Sequence, residues 1–228
     1  MAHGFFDAMA GTITNITAQK RGRRVNIYLD GEYAFSLDRL TAAWLKRGGV
    51  LSDAEISQLR SRDQNETAYA KTLHFLSFRV RSIKEVQGYL NRSGLSAEES
   101  AVILNRLQDE GFLDDSRFSR DWIENRVTFR PRSSRQLRLE LLQKGVTAEQ
   151  ADEALEVANL DEASLAKAAA GRMARRWAEL NQQEFLSKTS DFLLRRGFTR
   201  ALARETAREL WAEHAKSQHV SENNENME

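Results

Sequence analysis

Phe78-Arg79-Val80-Arg81-Ser82 and Phe129-Arg130-Pro131-Arg132-Ser133 are one phrase written twice, and each runs on to a glycine at the same distance, Gly94 and Gly145. Gly197 follows after almost the same step again. Each glycine precedes an apolar residue and a hydroxyl, as Gly94-Leu95-Ser96, Gly145-Val146-Thr147 and Gly197-Phe198-Thr199. A fixed step of roughly 50 residues marks an array of one supersecondary unit. Arrays present extended faces, and such faces suit polymers and filaments.

Each unit reads as three helices. Ser82 with Glu85 forms a capping box, which opens a helix carrying Ile83, Val86 and Leu90 and closed by Gly94. Ahead of it lies a helix with Ala70, Leu73 and Leu76. After it, Ser96 with Glu99 opens one with Ile103, Leu104 and Leu107. The second unit repeats the order. Phe118, Trp122 and Ile123 mark its first helix; Ser133 with Gln136 opens the second over Leu137 and Leu141; Thr147 with Gln150 opens the third over Ala151, Ala154 and Leu155. The third unit has Leu165, Met173 and Trp177, then Leu186 and Leu193, then Ala203, Ala207 and Leu210. It lacks the Phe-Arg-x-Arg-Ser opening, as a terminal capping unit would.

The N-terminal part differs in kind. Thr12–Thr17 is β-branched, and the runs 25–29 and 33–37 alternate around Asp30-Gly31, a hairpin turn signal. A three-stranded element is expected over residues 11–37, with a basic turn at 20–24. A helix capped by Asp38 and carrying Leu40, Trp44 and Leu45 should follow, then one opened by Ser52 and Glu55, then a polar link over 60–66. The expected division is 1–65 for the β element and two short helices, and 66–113, 114–160 and 161–214 for the three repeats. Residues 215–228 are expected to form a disordered tail. The fold class is mainly α, an elongated curved array of three-helix repeats with a small N-terminal β element.

Composition narrows the function. Of 228 residues 29% are charged, mean hydropathy is −0.59 and the net charge is +1, so attraction to a polyanion must come from local clusters. Cysteine is absent and proline occurs once, at Pro131. A reducing, cytoplasmic setting is expected. No apolar run suits a membrane span or a signal peptide, and no membrane partner is expected. His3, His74, His214 and His219 lack metal-ligand spacing, and no phosphate-cradling glycine motif is present; no metal, cofactor or catalytic residue is expected. Asp114-Asp115 reads as an N-cap with a first-turn acid. The aromatics Trp44, Trp122, Trp177, Trp211, Phe118 and Phe198 read as core more often than as stacking platforms.

Arginine is the signal that remains. The candidate partner-binding set is Arg79, Arg81, Arg126, Arg130, Arg132, Arg135, Arg138, Lys144, Arg195 and Arg196. A guanidinium offers a planar fork to carboxylate or phosphate. Arg81 and Arg132 stand just before a helix N-terminus, where the dipole disfavours cations.

Four stretches resemble the RecX family, regulators of the bacterial RecA recombinase. They are 81–90 (Arg-Ser-Ile-Lys-Glu-Val-Gln-Gly-Tyr-Leu), Gly111-Phe112-Leu113-Asp114-Asp115 continuing through Phe118, Trp122, Ile123 and Arg126, 137–146 (Leu-Arg-Leu-Glu-Leu-Leu-Gln-Lys-Gly-Val), and 192–198 (Phe-Leu-Leu-Arg-Arg-Gly-Phe). The resemblance spans roughly residues 65 to 212. It implies a non-enzymatic, monomeric modulator that binds the RecA nucleoprotein filament, with DNA as a secondary partner. Inhibition of strand exchange and of the coupled ATP hydrolysis is implied too, with roles in DNA repair and the SOS response. Arg81, Arg126, Arg138, Lys144 and Arg196 stand where the family is basic. On this reading charge reversal at Arg132 and Lys144 together abolishes inhibition without unfolding. The alternative is an autonomous helical DNA-binding protein or transcription regulator, with a helix–turn–helix read across Gly145-Val146-Thr147.

Overall fold

The computed structural model describes residues 10–20 and 22–225, and backbone only from 217 onward. His3, Arg21 of the basic turn and the final three residues lie outside it, as does the side chain of His219. Contacts group the chain into two compact units. One comprises the residues up to Arg79 together with Gln87–Phe112; the other comprises Val80–Val86 together with everything from Leu113 on.

The first unit begins with four strands, β1 (Gly11–Ala18), β2 (Arg24–Leu29), β3 (Glu32–Asp38) and β4 (Val50–Leu51), in the antiparallel order β3-β2-β1-β4. Alternation makes this sheet. Val25, Ile27 and Leu29 of β2 and Phe35 and Leu37 of β3 point into one core with Ile13, Leu51, Ile56 and Leu59. Asp30 and Gly31 both take positive φ, 49° and 92°, as the tight hairpin requires. The expected three strands are joined by a fourth. The two-residue β4 is too short to show a period and pairs with Gly11 and Thr12.

Two expectations about the next stretch are corrected. Residues following Asp38 form turns rather than a helix: Leu40 and Trp44 are exposed, while Ala42 and Leu45 pack into the core. The polar run 60–66 is no link but the middle of one continuous helix, α1 (Asp53–Leu76), opened by the Ser52/Glu55 capping box. Asp63 explains the continuity. Its carboxylate is buried, accepts the Asp38 backbone N–H at 2.5 Å and pairs with Arg24 at 2.7 Å, so this polar residue fastens the helix to the sheet. The inward face of the C-terminal half of α1 is also shifted. Ala68, Tyr69 and Thr72 are buried, while Ala70 is exposed.

Next come α2 (Ile83–Arg92) and α3 (Ala97–Asp109). Val86 and Leu90 of α2 are fully buried, as are Ile103 and Leu107 of α3 to within 2%. Reciprocal hydrogen bonds join Ser82 with Glu85 and Ser96 with Glu99 at the two helix starts. Arg106 of α3 pairs with Glu66 and Glu110, and its guanidinium lies 3.8 Å from the centre of the Tyr69 ring.

The second unit carries α4 (Asp115–Phe129), α5 (Ser134–Gln143), α6 (Ala148–Ala158), α7 (Glu162–Arg176), α8 (Gln182–Arg195) and α9 (Arg200–Glu225). Helices α4 to α6 enclose Phe118, Ile123, Leu137, Leu141, Val146, Ala151 and Ala154. Helices α7 to α9 enclose Leu165, Ala166, Ala170, Leu193, Phe198 and Ala203. Val127 and Leu160 pack against both clusters and make them continuous. The disordered tail expected over 215–228 is helical as far as Glu225, where α9 ends.

Candidate partner-binding surface

The repeated serine and glycine are two halves of one joint. Ser82 accepts the Glu85 backbone N–H, and its hydroxyl donates to the Lys144 carbonyl at 2.7 Å, immediately before Gly145. Lys84 donates to the Gln143 carbonyl at 3.2 Å. One unit later, the Ser133 N–H donates to the Arg196 carbonyl at 3.2 Å, immediately before Gly197. That bond replaces part of the box expected there: Ser133 caps Gln136, but the reciprocal hydrogen bond from Ser133 goes to Arg196. A Cβ on Gly145 would lie 2.6 Å from Lys84 Cβ, and one on Gly197 would lie 2.5 Å from Ser133 Oγ. Gly94 faces open space, so its positive φ of 81° alone explains it.

These joints bring the motif cations of the second unit together. Pro131 is buried, and its carbonyl accepts from Arg196 Nη1 at 2.9 Å. Arg196 stacks on Phe192, its centre 4.4 Å from the ring. Burial lowers the pKa of Arg196, and the charges of Arg132 and Arg130 lower it further, which places three guanidinium groups in one another's field. Glu140 offsets part of this charge. Glu140, buried on α5, pairs with Arg126 at 2.8 Å and Arg132 at 2.5 Å, and accepts from the Trp122 indole at 2.9 Å. Its approach to Arg132 lacks hydrogen-bond alignment, and Arg132 Nε is buried without an acceptor. Two arginines thus share the Glu140 carboxylate, and Arg130 and Arg196 add their charge nearby.

The remaining candidates divide by what holds them. Arg138 makes a bidentate pair with Asp152, at 2.5 and 2.9 Å, which raises the arginine's pKa and lowers the aspartate's. Lys144 pairs with Glu85 at 2.8 Å and lies 5.0 Å from the centre of the Trp122 ring, with Arg126 at 4.2 Å from the same ring. Arg79 and Arg81 both make contacts within the chain; Arg79 belongs to the first unit and every other candidate to the second. Arg130, Arg135 and Arg195 are exposed and, among the described residues, their side chains make no ion pair or hydrogen bond.

The acids at the start of α4 are structural. Asp114 accepts from the backbone of Ser116 and Arg117. Asp115 is buried and accepts the Ile83 N–H at 2.9 Å; burial raises its pKa, the hydrogen bond lowers it, and Asp114 and Glu85 raise it again. Among the described residues no group of three His, Cys, Asp or Glu is placed to hold a metal, and no helix is long and apolar enough to cross a membrane. Trp44 is an exception to the core reading of the aromatics; Phe118 and Phe198 are buried and Trp122, Trp177 and Trp211 half-buried.

Comparison with known proteins matches this architecture. A regulatory protein RecX of Listeria monocytogenes serotype 4b (strain F2365) is 31% identical over 206 residues, covering 88% of this chain and 76% of its own. The chain belongs to the RecX family. The RecX of Bacillus licheniformis is 32% identical over 191 residues, with 82% and 73% covered. The pattern of the RecX N-terminal domain matches residues 11–52, and that of the RecX second three-helix domain matches 114–155. A crystal structure of regulatory protein RecX superposes with a TM-score of 0.67 at 28% identity, covering 84% of this chain and 96% of its own. A RecX from Lactobacillus salivarius, at 22% identity and a TM-score of 0.55, shares the fold.

Glu140 is the residue of this candidate surface that sequence reasoning missed. Its signal was present: it stands between Leu137 and Leu141 on the buried side of α5, an acid inside a basic stretch of the chain. With its partners identified, reversing Arg132 and Lys144 changes meaning. Both are tied to buried or half-buried acids, so reversal would set acid against acid and disturb the fold it was meant to spare.

Proposed function

We propose that this chain binds the RecA nucleoprotein filament through the basic cluster around Pro131 and inhibits strand exchange and the coupled ATP hydrolysis, without chemistry of its own. Membership of the RecX regulatory family supports the partner, and the sharing of Glu140 by Arg126 and Arg132, with Arg130 and Arg132 in the field of Arg196, supports the surface. A concentrated, under-compensated set of guanidinium groups meets acidic protein surface and phosphate alike. In this reading Arg126, Arg132, Arg138, Lys144 and Arg196 shape the surface and hold it, while Arg130, Arg135 and Arg195 reach the partner. The repeats 66–113, 114–160 and 161–214 act as successive docking segments, in the cytoplasm, during recombinational repair and the SOS response. The test is single-strand-dependent ATP hydrolysis by a RecA recombinase. Added protein suppresses it below one copy per recombinase subunit; hydrolysis that continues unchanged at molar excess refutes the proposal.

A further inference from the structure

A second cationic feature lies between α8 and α9. Arg200, Arg204 and Arg208 line one wall of a groove of about 500 Å³, facing Ser187, Ser190, Asp191 and Leu194 of α8. The arginines fall every fourth residue, so they share one stripe of α9 with about 6 Å of rise between them. Helix energetics would not select this stripe. Cations four apart repel along a helix, and Arg200, the first residue of α9, stands at the end where the dipole disfavours positive charge. The nearby acids of α9 do not relieve it. Glu209 and Glu213 turn to Lys167, at 2.8 and 3.9 Å, and among the described residues none of the three arginines makes an ion pair or side-chain hydrogen bond. With Asp191 the only acid in the lining, the groove keeps a positive excess.

We infer that this groove is a binding site for the phosphodiester backbone of a single nucleic-acid strand. Planar guanidinium forks match phosphate, the serine hydroxyls of the opposite wall donate to its oxygens, and the regular step along α9 suits successive phosphates of a stretched strand. The choice of nucleic acid over other polyanions rests on the filament reading above.

The experiment needs no recombinase, so its outcome is separate from that of the filament assay. Binding of a fluorescein-labelled 20-nucleotide oligothymidylate to the full chain is followed by anisotropy across a salt series. The triple variant Arg200→Gln, Arg204→Gln, Arg208→Gln, checked for native circular dichroism, loses at least tenfold in affinity at low salt. Its log–log salt slope becomes shallower by about 2, as three lost contacts to a single strand require. Asp191→Asn binds more tightly. An equal charge loss elsewhere, Arg117→Gln, Arg120→Gln, Arg172→Gln, changes the slope by less than half as much. An unchanged slope in the groove variant, an equal loss in the control variant, or competition by poly-glutamate as effective as by unlabelled strand each overturns the proposal.

Discussion

At the scale of the residue, the account turns on how charges are used. Glu140 sits at 7% exposure with two arginines and an indole directed at it. Neutralising it leaves Arg126 and Arg132 facing each other near a buried site. Glu140→Gln is expected to lower stability by about 2 kcal/mol in urea unfolding, below the usual loss for a fully buried pair because Arg132 remains in part exposed. Asp115 behaves oppositely. Burial raises its folded pKa above the unfolded value, so the native state holds the proton more readily; the contribution of Asp115 to stability is fully present below the unfolded pKa and is lost as pH rises through the folded pKa. Asp115→Asn keeps an acceptor for the Ile83 N–H and removes the buried charge. It should match the parent near pH 4 and have a higher urea midpoint at pH 8; a midpoint difference independent of pH would contradict this. Neither role was legible from sequence. An acid among arginines reads as surface compensation, and an acid pair before a helix reads as a cap, because sequence shows spacing along one helix but not the partner that a second helix brings.

At the scale of the element, the repeats were legible because their signals are local. Ser96, Thr147 and Ser52 cap where their spacing to Glu99, Gln150 and Glu55 indicates, and the apolar faces of α2, α3, α5 and α6 are buried as their 3.6-residue period requires. The stretch 60–66 misled because polarity stands in for solvent exposure only on average; Asp63 is polar, buried and paired. The segment after Asp38 misled in the other direction. Its Leu40 and Trp44 lie at helical spacing but are exposed. The meaning of the glycines was half legible. Their positive φ follows from their place after a helix, while the close approach, of Lys84 at Gly145 and of Ser133 at Gly197, depends on a residue far away in sequence. Gly94→Ala should therefore cost about 1 kcal/mol, the strain of a left-handed backbone. Gly145→Ala carries the same strain and a clash with Lys84 Cβ, and should lose about 2 kcal/mol or more. Equal losses in thermal unfolding would show that the joint is looser than its geometry.

At the scale of the whole molecule, a net charge of +1 attracts a polyanion only through the distribution of that charge. The arginine set named from sequence contains two populations that sequence treats alike. Arg126, Arg132, Arg138, Lys144 and Arg196 are held within the fold, and Arg130, Arg135 and Arg195 are left to solvent. Separating structure from recognition therefore requires variants of the second group, whose replacement leaves every described ion pair intact. The most direct measurement is a titration of recombinase ATP hydrolysis on single-stranded DNA with the parent chain and with Arg130→Glu, Arg135→Glu, Arg195→Glu, both shown to unfold at the same urea midpoint. The account predicts that the variant needs at least tenfold more protein for half-inhibition. Superimposable titration curves would contradict it.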